Sequence, residues 1–163
     1  RAVAALREAM VRRAVRAAEK IRAQDLAATR LIAFAHGSRF KPNAPSASRI
    51  ARLSPATNDP RVIGGMAGRM ADVMYETGGV YTKCGVMLEG LEPMTAHQAD
   101  LFAGVDPRSE KLMAVLDQAN RRFGRGTMGF ASAHRRTTAQ WRMRQEHLSP
   151  SYTTKWSDLL RVR

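Results

Sequence analysis

The sequence is poor in most of what would mark a secreted, metal-binding or membrane-spanning protein. It holds one cysteine, Cys84, in 163 residues. No internal disulfide can form, which fits a reducing cytoplasm. Its four histidines are scattered, without the spacing of a zinc site. No run approaches the roughly 18 apolar residues of a membrane span, and no charged-then-apolar leader is present, so no membrane is expected as a partner. A phosphate-cradling Walker loop is absent as well. Gly124-Arg125-Gly126 offers only a weak cradle, and a helix cap explains Gly124 better. The first residue, Arg1, already sits in a helical pattern, which suggests a fragment.

Acidic residues are the most telling shortage: 14, against 27 Lys and Arg. Residues 1–68 hold 13 basic and 4 acidic side chains, residues 69–120 hold 4 and 8, and residues 121–163 hold 10 and 2. Two basic regions therefore flank a mildly acidic middle. Such an excess favours polyanions or anionic membrane surfaces. The competing explanation is solvated, arginine-rich helix faces.

Apolar periodicity predicts the elements. Val3, Leu6, Met10, Ala14, Ala17 and Ile21 make one stripe of a helix over 2–23. Residues 29–36 read as a strand, 37–45 as a loop held by Pro42, Asn43 and Pro45, and 48–53 as a second strand. Asp59-Pro60 starts a helix with a side-chain acceptor at the N-cap and proline in the first turn. Ile63, Met66, Met70, Val73 and Met74 are its expected apolar face, and Gly78-Gly79 its expected end. Gly64, Gly65 and Gly68 weaken it by roughly 1 kcal/mol each, so either close packing against that turn or fraying is expected there. The strand over 80–88 puts Cys84, Val86 and Leu88 on one face and Tyr81, Lys83, Gly85 and Met87 on the other. A third helix, 109–123, is expected to turn Leu112, Val115, Leu116, Ala119 and Phe123 inward, before a short strand at 127–130. Trp141 and Trp156 are expected to anchor the remainder to a core, with base stacking as the alternative.

That order is a βαββαβ plan with its first strand missing: an α+β fold with helices on one face of an antiparallel sheet, plus a helix-containing C-terminal extension. Tyr81 and Lys83 would point to the open face. If the missing strand were central, as in ferredoxin-like order, a gap would part the remaining strands. The expected domains are 1–92, a linker over 93–107, and 108–163.

The linker holds Gln98-Ala99-Asp100-Leu101-Phe102. Two adjacent large apolar groups on a loop are what a lone domain has no reason to expose, unless they plug its own core. The pattern resembles the Gln-x-x-Leu-Phe peptide that bacterial polymerases insert into the sliding clamp. Burying two such side chains at roughly 1.5–3 kcal/mol each, less the cost of ordering, implies about micromolar binding.

Further segments point the same way. Tyr81-Thr82-Lys83-Cys84-Gly85-Val86-Met87-Leu88 resembles the last little-finger strand of Y-family translesion DNA polymerases. Phe34-Ala35-His36-Gly37-Ser38-Arg39-Phe40 is similar to their Phe-Ile-x-Thr-Ser-Pro-Phe segment, with Gly37 and Arg39 replacing Thr and Pro. Ala17-Ala18-Glu19-Lys20-Ile21-Arg22, Asn120 to Thr127 and Leu148 to Thr154 resemble the catalytic subunits of the polymerase V branch, of UmuC type. The resemblance implies a little finger that lays its sheet along DNA, a branch-specific tail, and a place in SOS mutagenesis and DNA repair. The partners it implies are DNA, the sliding clamp, a processed UmuD-type dimer and the RecA filament. Family polymerases carry their paired carboxylates, with Mg2+, in a palm domain. No such Ser-x-Asp-Glu pair occurs here, and Asp72 and Glu76 read as a solvated face.

From the resemblance, the residues expected to contact DNA are His36, Ser38, Arg39 and Lys41 at one strand end, Arg49 and Arg52 on the next strand, and Lys83. Arg49 and Arg52 differ in parity, so at least one faces elsewhere. A non-catalytic adaptor that recruits polymerases to the clamp, or a basic RNA- or ribosome-associated protein, are the alternatives.

Overall fold

The order of elements follows the polar pattern closely. The computed structural model describes residues 2–76, 78–94, 107–124, 126–131 and 148–159. Helix α1 spans Ala2–Arg22, strand β1 Leu26–His36, strand β2 Ser46–Thr57, helix α2 Pro60–Met74, strand β3 Lys83–Pro93 and helix α3 Pro107–Phe123. The sheet is antiparallel, in the order β2-β1-β3. α1 lies over β3 and β1, α2 lies over β2 and β1, and the two helices pack on each other.

β1 is the central strand. It pairs Ile32 with Ile50 on one side and with Met87 on the other. The expected gap does not occur, because β1 bonds to both neighbours along most of its length. β1 and β3 are also longer than expected. Leu26–Ala28 pair with Leu91–Pro93, and the Thr29 hydroxyl donates to the Gly90 carbonyl at 3.1 Å.

The core lies between sheet and helices. Met10, Leu31 and Ile63 are its largest fully buried apolar chains, alongside Ala14, Ala18, Ala33, Ala35, Ala67 and Ala71. Small residues let the helices approach. A Cβ on Gly64 would stand 3.4 Å from Val15 Cγ2, and one on Gly68 would stand 3.4 Å from Val11 Cγ2. The helix-weakening glycines therefore make room for α1, as expected for Gly64 and Gly68. Gly65 faces only the Arg69 side chain. Ile63, Met70 and Met74 are buried as expected and Met66 packs beside them, but Val73 is exposed, and the buried face also runs through Gly64, Ala67, Gly68 and Ala71.

Asp59 caps α2 as expected, its carboxylate accepting the Arg61 N–H at 2.7 Å. The helix stops before Gly78-Gly79. Tyr75 turns to an extended conformation as C-cap, its N–H still bonded to the Ala71 carbonyl.

α3 is docked through polar contacts. Arg22, whose side chain is only 10% exposed, donates to both Asp117 carboxylate oxygens at 2.6 and 2.7 Å and to the Asn58 carbonyl at 3.1 Å. The Ser109 hydroxyl donates to Asp59 at 3.0 Å. Met113 and Leu116 are the chains α3 buries, while Leu112, Val115 and Phe123 are exposed. Of the expected inward set Leu116 is buried and Ala119 half-buried, and the other three are turned outward. Gly124, at φ +99°, follows the helix as its left-handed C′ residue. The expected strand at 127–130 does not form. The Asn120 side-chain amide occupies both the N–H and the carbonyl of Met128, at 3.0 and 2.9 Å, which removes the groups a strand partner would need.

Candidate nucleic-acid interface

Strand parity sorts the candidate residues. Side chains alternate across a strand, and residues paired in an antiparallel sheet share a face. Leu31, Ala33 and Ala35 face the helices. The opposite face therefore carries Arg30, Ile32, Phe34 and His36 of β1, with Ser46, Ser48, Ile50 and Arg52 of β2 and Lys83, Gly85, Met87 and Glu89 of β3.

At one end of this face stand His36, Ser46 and Lys83. His36 Nδ1 lies 2.8 Å from the Ser46 hydroxyl. Its ring stacks on Phe34, with centroids 5.5 Å apart. Gly85 is what admits the Phe34 ring: a Cβ there would stand 2.3 Å from Phe34 Cζ. A strand glycine thus marks close approach, here of an aromatic ring.

The β1–β2 loop extends this end. It is closed by the Gly37 N–H donating to the Pro45 carbonyl at 2.7 Å. Within it the Lys41 N–H donates to the Ser38 carbonyl at 3.1 Å, and the Phe40 N–H to the Ser38 hydroxyl at 3.4 Å. These turns leave Arg39, Phe40 and Lys41 exposed. Neither cation has an ion-pair partner among the described residues.

The middle of the face is apolar, with Ile50 69% and Met87 52% exposed on either side of Ile32. The far end carries Arg30 and Arg52, with Arg30 3.5 Å from Glu89.

His36, Ser38, Arg39, Lys41, Lys83 and Arg52 thus belong to one side of the sheet or to the loop at its end. Arg49 does not. It pairs with Ala33 on the helix side, and its guanidinium donates to the neighbouring Ser48 carbonyl at 3.0 Å. Tyr81 is also off the open face. It precedes β3, packs against the core and donates its hydroxyl to the Met74 carbonyl at 3.0 Å. Arg30 and Phe40 are additions. Arg30 shares the parity of His36, and that parity was the available signal. The Gln98–Phe102 peptide and Trp141 lie outside the described residues. Trp156 is 89% exposed and, among the described residues, anchors nothing: the 3-10 turn at Trp156–Asp158 buries no residue.

Such a surface can hold phosphates through long cations and hydroxyls without reading base sequence. Among the described residues no three histidine, cysteine or carboxylate side chains stand together to hold a metal. Burial pushes the Cys84 thiol up, against a smaller downward pull from Arg13, so the thiol stays protonated at neutral pH. No described helix is long and apolar enough to cross a membrane.

Comparison with known proteins agrees with this layout. Residues 1–101 match the impB/mucB/samB family C-terminal domain, and residues 110–162 match a domain of unknown function, DUF4113. Protein UmuC of Salmonella typhimurium is 39% identical over 97% of the chain and 38% of its own length. Protein ImpB of the same organism is 38% identical over 95% and 37%, and protein MucB of Escherichia coli 35% over 94% and 36%. The chain spans a little over a third of the length of these relatives. On these matches, the chain belongs to the impB/mucB/samB family of UmuC-type Y-family polymerases.

Proposed function

We propose that this chain is the DNA-gripping and clamp-tethering part of an error-prone translesion polymerase that acts in SOS mutagenesis. The carrying observation is that Arg39, Lys41 and Lys83 stand exposed at one end of a sheet face that no described helix covers. Arg52 and Arg30 continue that face. Duplex DNA laid along it meets cations at both ends and apolar side chains between. Gln98 to Phe102 serves as the clamp hook, a weak tether that works by raising local concentration on DNA. The family relationship supports a processed UmuD-type dimer and the RecA filament as further partners. Mg2+ belongs to the palm of the parent polymerase and acts outside these residues.

The test is a salt titration of duplex binding by the chain and its Arg39→Glu/Lys41→Glu/Lys83→Glu variant. Each phosphate contact contributes about 0.9 to the slope of log K against log salt. Loss of the three flattens the slope by about 2–3 and weakens every duplex sequence alike. An unchanged slope removes the DNA reading. For the hook, Leu101→Ala/Phe102→Ala is expected to abolish retention on immobilised clamp; retention by the double variant would assign clamp binding to another surface.

A further inference from the structure

Phe40 is 89% exposed although the fold offers a core within the same sheet. The loop is built to keep it so. The Gly37–Pro45 hydrogen bond closes the hairpin, Ser38 engages both the Phe40 and Lys41 amides, and Asn43 sits at φ +57°. Exposed cations flank the ring at Arg39 and Lys41. The same sheet end holds the Phe34–His36 ring pair and Lys83. An outward aromatic between two cations is the arrangement by which nucleic-acid proteins stack on a base while gripping its phosphates.

A continuous duplex has no use for that ring, since its bases are already stacked on one another and their faces are covered. An unpaired base beside a duplex does expose a face. We infer that Phe40, with Arg39 and Lys41, is a stacking site for an unpaired base, so that this end of the sheet selects single-strand/double-strand junctions over uninterrupted DNA. The inference rests on the DNA-binding reading and adds the substrate form to it.

Anisotropy titrations of the full chain compare a blunt duplex with the same duplex bearing a single-stranded overhang. The wild type is expected to prefer the overhang by about 5-fold or more, the equivalent of about 1 kcal/mol for one stacked base. Phe40→Ala removes that preference, bringing overhang and blunt affinities level, while Phe40→Trp restores it. Because the side chain is exposed, neither variant disturbs the core. Blunt binding with no overhang preference in the wild type, or a preference that survives Phe40→Ala, overturns the stacking site alone. Failure to bind either DNA overturns the DNA reading together with it.

Discussion

The two faces of one three-stranded sheet have opposite chemistry, although their residues alternate along the same strands. Toward the helices β1 presents Leu31, Ala33 and Ala35, all fully buried. Away from them it presents Arg30, Ile32, Phe34 and His36 beside exposed Ile50 and Met87. The closed face is made of small and aliphatic groups because two helices must come close. The open face mixes large apolar groups, rings and cations, which no helix could cover without burying charge. Apolar content alone therefore does not identify the core; the partner layer does.

The comparison breaks most sharply at neighbouring residues of similar size. Leu31→Ala removes a fully buried side chain and is expected to cost about 2–5 kcal/mol through lost transfer energy and a cavity. Ile50→Ala, on the other face, is expected to stay within about 0.5 kcal/mol. Urea unfolding of both variants checks it. Equal losses would mean that something covers the open face in the isolated chain.

Parity made much of this division legible in advance. Cys84, Val86 and Leu88 do pack toward the helices, and Lys83, Gly85 and Met87 do share the open face. Arg49 and Arg52 separate as their parity demands. Helix faces were harder to read, for a physical reason. α3 has two apolar stripes, and the longer one, Leu112, Val115 and Phe123, is outward. The choice is made by Arg22, whose nearly buried guanidinium needs Asp117, and that contact turns Met113 and Leu116 inward. No local pattern encodes a partner 95 residues away. On α2, similarly, glycine and alanine carry the contact with α1, and a scale that rewards large residues picks Val73 instead. The extra length of β3 was hidden by Glu89, Gly90, Glu92 and Pro93, poor strand formers that are held by pairing with β1. Phe40 lay in plain sight within its motif, but its exposure follows from the hydrogen bonds of the loop.

A smaller effect tests the junction of α2 and α3, where Asp59 serves both helices. Burial alone would raise its carboxyl. Hydrogen bonds from the Arg61 side chain and N–H and from the Ser109 hydroxyl, with the Arg61 charge, outweigh burial and hold it below the ordinary value of 3.8. A carboxyl lowered in the folded state binds protons less readily than in the unfolded chain. Its stabilisation is therefore complete above the unfolded value and is lost as pH falls through the folded one. Asp59→Ala is expected to cost about 1 kcal/mol at pH 7, the usual penalty for an N-cap. Asp59→Asn keeps a capping oxygen but has no proton to bind. Urea unfolding from pH 7 downward should show wild type losing its advantage over Asp59→Asn only below about pH 4, near the unfolded carboxylate range. A gap that closes nearer pH 6 would place the titrating group elsewhere, because a lowered carboxyl cannot act so high.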